Sequence, residues 1–513
     1  MYKPLTLEKT NKEVEKMNKT LWLDFSKKSN YPKLDKNLDV DILIIGGGIC
    51  GILLAYHLQK YFDKIVIVDQ NKLYHNTTGH TTGKVTSQHG YIYYDLINMH
   101  SKTIAKEYYK ANQLAVNYLK ELITNEQIDC DMEIVNATLF AMDDNELQML
   151  KNEEQAYQML EIPYLKETIT IGTNNYQALK IPNQIAFNVV KFLDHILAKL
   201  DEQKVSIYEN TKIKKTITQL EPLAVTTEGF IIKAKQIISA SHYPVYRGFN
   251  FYFTKLIPSI SYVVVGKAID TLNLDNEIFI NIANPARSIQ YGYKDNEKYI
   301  ILAGNSRDSS KMNDFEEEIN DLKQFGKDHL QITEYLYEWY TQDYQVCDLI
   351  PFIGRIKNTN IYMAAGFNKW GLSHSVLASL ILTDLIVNGY VKYEDIFNPN
   401  RKLLLSKTLK YNLKMIKTYI SSKLDNQIKD IEIGPNEGKI AKIDGRKYGI
   451  FKDSNHKIYL VKPTCPHMGC SLLYNNVSKT YDCPCHGSRF KYDGTCIDGP
   501  SNKSLSCFIF EGE

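Results

Sequence analysis

The sequence lacks a long hydrophobic run, which bears on where the protein works. Its apolar runs, such as Ile42 to Ile45, are far shorter than the ~20 residues that a membrane-spanning helix needs. The stretch from Met1 to Leu38 is rich in Lys, Glu and Asp and has no apolar segment typical of a signal peptide. The sequence therefore predicts a cytoplasmic protein.

An excess of charge is also missing, and cysteine is scarce in most of the chain. With 61 basic and 59 acidic residues the net charge is +2, so composition gives no reason to expect nucleic acid as a partner. Of nine cysteines, only Cys50, Cys130 and Cys347 precede residue 460. This excludes a chain-wide disulfide framework and indicates a local site near the end of the sequence. The 513 residues leave room for two or three domains.

Two short motifs near that end combine cysteine with histidine. They are CPHMGC at 465–470 and CPCHGS at 483–488. A Rieske-type [2Fe-2S] cluster needs two thiolates on one iron and two imidazoles on the other, and each motif offers one of each. A structural zinc site is the alternative, although such sites usually present CxxC on one arm and a pair of histidines on the other.

Residues from about 430 to 513 resemble Rieske proteins, which carry CxHxGC, CPCHGSxF and a later Gly-Pro, here Gly499-Pro500. The resemblance implies four cluster ligands: Cys465, His467, Cys483 and His486. It also implies a disulfide between Cys470 and Cys485, with two free thiols as the alternative, because a bridge is unusual in a reducing cytosol.

Two neighbouring residues bear on the reduction potential, which in Rieske centres spans about −150 to +300 mV. By the resemblance, Ser488 donates a hydrogen bond to a cluster sulfur and so raises the potential. Phe490 stands where high-potential respiratory members carry a tyrosine, and it has no hydroxyl to donate. The sequence therefore predicts an intermediate potential that falls further in Ser488→Ala.

The first part of the chain contains a glycine-rich motif between a strand and a helix. A buried strand at 41–45 runs into GGGICG at 46–51, a helix from Ile52 to about Phe62 and a second strand ending at Asp69. In such a motif Gly46 makes the tight turn, Gly48 admits a pyrophosphate, Gly51 allows close helix packing and the acid binds ribose. The pattern predicts a dinucleotide site; a glycine turn in a ligand-free unit is the alternative.

Segments 78–86 and 360–371 add a second resemblance. With the glycine motif, they resemble the FAD-dependent oxidoreductases related to D-amino-acid oxidase, glycine oxidase and sarcosine oxidase, over about residues 35 to 390. The resemblance implies an α/β FAD-binding Rossmann-like domain interleaved with an antiparallel substrate domain, beside a small all-β Rieske domain. It also implies FAD contacts at Thr81, Thr82, Lys84, Val205, Gly366 and Gly371, where an ordinary helix entry remains the alternative for each glycine.

These patterns divide the chain into an N-terminal arm (1–38), an FAD domain (39–390), a helical linker (391–428) and a Rieske domain (429–513). The substrate part comes from insertions at about 90–185 and 250–340. Apolar spacing predicts helices at 96–125 and 145–160. Residues 401–424 form a basic amphipathic stretch that either packs on the protein or contacts a membrane surface.

The two centres together predict an oxidoreductase. A flavin takes up two electrons as a hydride, whereas the cluster passes one at a time to an external protein or quinone. The resemblance suggests a small amine or amino-acid substrate. Alternatives are a cluster that delivers electrons to FAD for reduction or oxygen activation, and a redox sensor. No catalytic residue is assigned; candidates near the flavin are Lys84, His89 and His374, and Arg287 either binds a substrate carboxylate or is solvated.

Overall fold

The computed structural model describes residues 20–25, 30–246, 252–268, 274–295, 297–308, 315–403, 433–443, 446–476 and 478–510, with parts of 412–419. The predicted arm (1–38) and the basic stretch (401–424) therefore lie largely outside the described residues. Trp22 of the arm is buried, and its Nε1 donates to the carbonyl oxygen of Thr81 at 2.7 Å.

The described residues form strands in all parts of the chain. The strands are β1 (Leu38–Ile45), β2 (Ile65–Val68), β3 (Lys84–Val85), β4 (Glu133–Phe140), β5 (Leu165–Ile171), β6 (Asn174–Ala186), β7 (Val205–Tyr208), β8 (Ile213–Ile217), β9 (Leu223–Thr226), β10 (Ile231–Ser239), β11 (Leu256–Ala268), β12 (Glu277–Asn281), β13 (Ser288–Lys294), β14 (Glu297–Asp308), β15 (Ile332–Val346), β16 (Phe352–Arg355), β17 (Ile361–Ala365), β18 (Glu437–Ile443), β19 (Arg446–Lys452), β20 (Ile458–Val461), β21 (Leu473–Asn475), β22 (Thr480–Asp482), β23 (Arg489–Lys491), β24 (Cys496–Asp498) and β25 (Cys507–Phe510).

The helices whose bounds are described lie in the first 400 residues, and residues 412, 413, 415 and 417–419 are helical as well. The helices with described bounds are α1 (Ile49–Leu58), α2 (Tyr93–Met99), α3 (Lys102–Asn125), α4 (Asp144–Leu160), α5 (Val189–Ala198), α6 (Phe315–Leu330), α7 (Gly371–Asn388) and α8 (Glu394–Phe397). Short 3-10 turns lie at Leu23–Phe25, Thr77–His80 and Tyr252–Thr254.

The first sheet is a doubly wound one, in the order β16-β17-β10-β1-β2-β7. From β17 to β7 all neighbours run parallel, because the connections between them cross over through helices or other strands. Their near-continuous Ile and Val content suits strands that are covered on both faces. This sheet places the glycine motif at the carboxyl end of β1, where ligands of such sheets bind.

The second sheet is mainly antiparallel and has the order β15-β11-β14-β13-β12-β4-β6-β3, with β5 paired to β6. It is built mainly from the predicted insertions, so the expected interleaved architecture is confirmed. The cluster domain adds two four-stranded sheets, β18-β19-β20-β25 and β21-β22-β23-β24. The expected α/β domain with an antiparallel partner and a small all-β domain is thus present.

Two predicted helices differ from the observed ones. The helix expected from Ile52 is α1, which starts at Ile49 because Gly48 is still extended and ends at Leu58 because the chain then turns tightly. The helix expected over 96–125 is two helices, α2 and α3. The hydroxyl of Ser101 between them accepts from the backbone N–H of Ile104 and caps α3, a start signal that apolar spacing alone does not show.

One helix among the described residues, α7, is long and apolar enough to cross a membrane. However, 67% of it is buried inside the protein. It packs against α1 and α3, and its apolar residues are part of the main core.

Candidate functional site: two redox centres on one cavity

The glycine motif is packed so tightly that side chains are excluded. A Cβ on Gly51 would lie 1.9 Å from the carbonyl oxygen of Gly46, and one on Gly48 would lie 2.9 Å from Thr78 Oγ1. Gly46 has a φ of +115°, in the region that only glycine adopts readily. The start of α1 therefore lies close beneath the loop, where a helix N-terminus favours a phosphate, and the N–H of Ile49 donates to Thr78 Oγ1 at 3.3 Å.

Asp69 lies at the end of β2, beside this loop. Its carboxylate accepts from the backbone N–H groups of Gly47 and Asn71, each at 2.8 Å. Burial raises the pKa of Asp69 to about 6, and Glu209 contributes to the rise. The carboxylate thus orders the glycine loop while it remains in the cavity wall as an acceptor for a ribose hydroxyl.

A cavity of about 1100 Å³ opens from the glycine loop. This is slightly more than the ~300–1,000 Å³ typical of small-molecule and cofactor sites, so the cavity has room for a dinucleotide. Most predicted FAD contacts line it: Gly46, Gly48, Asp69, Thr81, Thr82, Lys84 and Gly371. Gly51 lies behind the loop, as expected for a packing residue.

Two predicted FAD contacts are placed elsewhere. Val205 begins β7 opposite Ile65, at the far end of that strand from Asp69, and does not line the cavity. Residues 211 to 214, further along the chain, line it instead. Gly366 does not line the cavity either. A Cβ there would lie 2.4 Å from Val346 and 3.0 Å from Leu256, so the glycine lets the chain pass close to β15 and β11, at a φ of +74°.

Lys84 is a half-buried basic residue of this wall. Its Nζ donates to Ser288 Oγ at 2.8 Å, and desolvation lowers the pKa of Lys84 to about 7. Lys369 also lines the cavity, and desolvation lowers its pKa to about 8. Arg287 lines the same region and pairs with Asp321 at 2.7 Å, so its charge is partly compensated. The wall therefore offers positive charge together with an amine that titrates near neutral pH.

The other two candidates near the flavin, His89 and His374, lie one layer behind the wall. His89 stacks on Trp370, which lines the cavity, with 4.5 Å between ring centroids. Both imidazoles bond to the hydroxyl of Tyr108, at 2.8 and 3.0 Å. Burial lowers the pKa of His374 to about 4, and that of His89 falls well below its usual value, so both support Trp370 as neutral rings.

The two cysteine motifs form facing turns. Cys465 N–H donates to Cys470 O, and Cys483 N–H donates to Ser488 O, each at 2.8 Å. The thiols of Cys465 and Cys483 are in hydrogen-bond contact, and the rings of His467 and His486 lie 5.2 Å apart at 89°. The four predicted ligands thus converge as two thiols and two imidazoles, the donor set that a Rieske cluster requires.

A disulfide joins Cys470 to Cys485, as the resemblance implied. The sulfurs of Cys470, Cys483 and Cys485 lie within 4.8 Å of one another, so the bridge stands directly beside the ligand set. It ties the two turns to each other, which fixes the separation of the two cysteine and histidine pairs.

Ser488→Ala is expected to lower the cluster midpoint potential by on the order of 50 mV. The Ser488 hydroxyl bonds to Cys465 sulfur and accepts from the N–H of Ser501 at 2.9 Å, so its proton is directed to the sulfur. Loss of one hydrogen bond to a charged group is worth about 1.5 kcal/mol or more, which sets this magnitude for one electron. Redox titration measures it, with Ser478→Ala as the control; equal midpoints would contradict the assignment.

The cluster domain forms part of the cavity wall. Pro466, the predicted ligand His467 and residues 497–503 line the cavity together with the glycine loop. Gln342 on β15 donates to Gly487 O at 2.9 Å, and the Tyr344 hydroxyl donates to Gly499 O at 2.6 Å. These contacts hold the second cysteine motif and the Gly499-Pro500 segment against the second sheet, an arrangement for which the sequence gives no signal.

His242 lies between two carboxylates at this domain boundary. Its imidazole nitrogens are 3.5 Å from Asp343 of the second sheet and 3.6 Å from Asp498 of the cluster domain. Burial opposes its charge, but the two carboxylates outweigh burial and raise the pKa of His242 to about 10.

The contribution of His242 to stability is therefore expected to vanish at high pH. Because the folded pKa lies above the ordinary value, the stabilisation is complete below about pH 6.5 and is lost as pH rises through about 10. Thermal unfolding of the protein and of His242→Leu should differ at pH 6 and converge near pH 10.5. A difference that is constant over this range would show that His242 does not act through its charge.

The fold and the two sites define a redox protein with a dinucleotide centre and an iron-sulfur centre in one chain. Comparison with known proteins makes this specific. The chain belongs to the FAD dependent oxidoreductase family, whose family model matches residues 41–385, and it carries a Rieske [2Fe-2S] domain matched at residues 425–509. The first part therefore binds FAD and the second a [2Fe-2S] cluster, which removes zinc as the alternative.

Proteins of similar sequence are found for the whole chain and for its Rieske domain alone. A protein of Bacillus subtilis (strain 168) that carries the name Rieske 2Fe-2S iron-sulfur protein YhfW is 34% identical over 493 residues, which cover 95% of this chain and 96% of that protein. The cytochrome b6-f complex iron-sulfur subunit 2 of Trichormus variabilis is 44% identical over 41 residues, 8% of this chain and 23% of that one. The first likeness runs through both domains, and the second is confined to a short segment.

Solved structures show the same fold for the first part. Glycine oxidase from Geobacillus kaustophilus superposes with a TM-score of 0.58 at 15% identity, over 72% of this chain and 100% of that one. L-proline dehydrogenase from P. horikoshii gives 0.57 at 16% identity, over 71% and 98%. At these identities the likeness concerns the fold alone.

Proposed function

We propose that the protein oxidises a small amine or amino acid at its FAD and passes the electrons singly through the Rieske cluster to an external acceptor. The observation that carries this proposal is the shared cavity, whose wall contains both Gly46 of the dinucleotide loop and His467 of the cluster set. When bound, FAD accepts two electrons with a hydride and the cluster accepts one. Because FAD and the cluster would border the same cavity, electrons can pass directly from one to the other.

Two observations support the substrate class: the charge of the cavity wall and the names of the proteins with a similar fold. Arg287 and Lys369 bring positive charge to the cavity, which favours a ligand with a carboxylate. The structural neighbours are named as an oxidase of glycine, a dehydrogenase of L-proline and a deaminase of L-amino acids. An amino acid or a related small amine satisfies both observations.

Lys84 is proposed to accept the proton that an ammonium substrate must lose before it is oxidised. Its amine is desolvated and titrates near pH 7, so about half is neutral there and ready to take up a proton. Ser288 orients the nitrogen through its bond to Nζ. The cavity wall thus supplies substrate orientation and a base.

Lys84→Met is expected to lower kcat/KM by about 10²-fold or more, the range typical of a lost general base. It should also remove the rise of kcat/KM with pH through about 7. Steady-state kinetics from pH 5.5 to 9 measure both. Lys235→Met, at an exposed ion pair with Asp41, is the control. A retained pH limb in Lys84→Met would exclude Lys84 as the base.

Two other functions remain candidates from the sequence. In the first, the cluster delivers electrons to FAD for reduction or oxygen activation. In the second, the cluster acts as a redox sensor that changes docking to a partner. We further propose a cytoplasmic location and a protein or quinone as acceptor. The tip of the first cysteine motif, where Met468 is 54% exposed, is accessible to such a partner.

Anaerobic mixing with a panel of amines and amino acids tests the direction of electron flow. The expected result is bleaching of the flavin absorbance followed by the EPR signal of the reduced cluster, without any protein donor. Bleaching that never produces the cluster signal would overturn the relay. A flavin that is reduced only after a donor has reduced the cluster would support the reverse direction.

A further inference from the structure

The segment Cys496–Lys503 of the cluster domain lies over the part of the cavity next to Asp69. Gln70, the residue after Asp69, donates through Nε2 to Ile497 O at 2.9 Å. Lys212 Nζ donates to Cys496 O at 3.1 Å, and Asn502 Nδ2 donates to Lys214 O at 2.8 Å. Residues of the FAD domain that flank the nucleotide end of the cavity are thus bonded to one short segment of the other domain.

This segment is itself part of the cavity wall. Residues 497–503 line it, as does Arg489, whose guanidinium lies 4.7 Å from the ring centroid of Tyr340 on β15. Arg489, Lys503 and Lys212 bring cationic groups to the wall from both domains. The cluster domain therefore supplies part of the positive charge that an anionic pyrophosphate in the cavity would face.

We propose that the Rieske domain closes the FAD site, with Cys496–Lys503 as a wall over the adenosine and pyrophosphate end of the cofactor. In this arrangement, residues of the FAD domain and residues of the Rieske domain together hold the FAD. Because the same contacts dock the cluster, FAD binding and docking of the Rieske domain are thermodynamically linked. By reciprocity, each stabilises the other by the same factor.

The docking contact of Tyr344 allows a test that leaves the cavity wall intact. Its hydroxyl donates to Gly499 O at 2.6 Å, while the residue itself is buried and does not line the cavity. Tyr344→Phe removes this bond, and the one that the hydroxyl accepts from Gln342 Nε2 at 3.2 Å, without changing the shape of the side chain. Asn502→Ala removes a second bond, that to Lys214 O; because Asn502 lines the cavity, Tyr344→Phe is the variant that tests docking with the wall unchanged.

The experiment measures the rate at which FAD leaves the full-length holoprotein, followed by flavin fluorescence after dilution into a trap for free FAD. The double variant Tyr344→Phe/Asn502→Ala is expected to release FAD on the order of tenfold faster, since each lost hydrogen bond changes an equilibrium by a few-fold. Tyr344→Phe alone should show part of this effect. Tyr164→Phe, whose hydroxyl bonds to Glu154 on the surface far from the boundary, is the control.

Hydrogen exchange of the unsubstituted protein gives a second measurement. Amides in 496–503 should exchange more slowly with FAD bound than in the apoprotein, while those in 446–452 should not change. Equal FAD release from the double variant and the control would overturn the proposal, as would equal exchange of 496–503 with and without FAD. Neither measurement uses substrate or an acceptor, so either result is independent of the proposed electron relay.

Discussion

Replacing the predicted cluster ligand His467 by Ala is expected to abolish delivery of electrons to an external acceptor while substrate still bleaches the flavin. His467 faces His486 across 5.2 Å in the ligand set and also lines the cavity that begins at Gly46. Without this imidazole the second iron lacks half of its protein ligands. Loss of only an outer-shell partner commonly costs 10–100-fold in metal affinity or activity, so acceptor reduction should fall more than about 100-fold.

Three measurements on His467→Ala separate the possible outcomes. EPR reports the cluster, flavin absorbance reports bound FAD, and stopped-flow bleaching per bound FAD reports the first half-reaction. Ser488→Ala, which keeps all four ligands, serves as the matched control and should retain acceptor reduction. If His467→Ala lost its cluster but still reduced the acceptor at the unsubstituted rate, the electrons would leave from the flavin directly, and the proposed path would be wrong.

Gly51→Ala is expected to abolish retention of FAD. The added Cβ would lie 1.9 Å from the carbonyl oxygen of Gly46, which is backbone and cannot move without displacing the loop. Overpacking of this kind costs about 1–3 kcal/mol in ordinary cores, and here the shift falls on the loop that must approach the pyrophosphate. The purified variant should carry less than about a tenth of the FAD of the unsubstituted protein, since 1.4 kcal/mol corresponds to tenfold.

The ratio of flavin to protein absorbance measures this effect, and the cluster EPR signal checks that the rest of the chain is assembled. Gly434→Ala is the matched control, because a Cβ there would meet only the flexible side chain of Glu437. FAD bound normally by Gly51→Ala would show that α1 does not need to pack against the loop. Loss of FAD from both variants would point to a general effect of substituting glycine.

Much of the fold follows from local sequence patterns. The Ile and Val runs of β1 and β2 with the glycine motif between them predicted a dinucleotide fold, because strand, turn and helix leave separate local signals. The boundary between α2 and α3 was missed, since Ser101 interrupts the helix without breaking the apolar spacing. Val205 was assigned to the FAD site by resemblance alone, and its place in β7 sets it away from the cavity.

The sequence by itself determined the two redox centres. The glycine motif with Asp69 and the two cysteine motifs are short, and their chemistry depends on residue types at fixed spacing, so they could be identified without coordinates. Only the tertiary structure decided that His467 and Gly46 share one cavity, that Asp498 meets His242, and that Cys496–Lys503 covers the nucleotide end. These contacts join residues hundreds of positions apart, and such pairings depend on how whole domains pack, which no local pattern records.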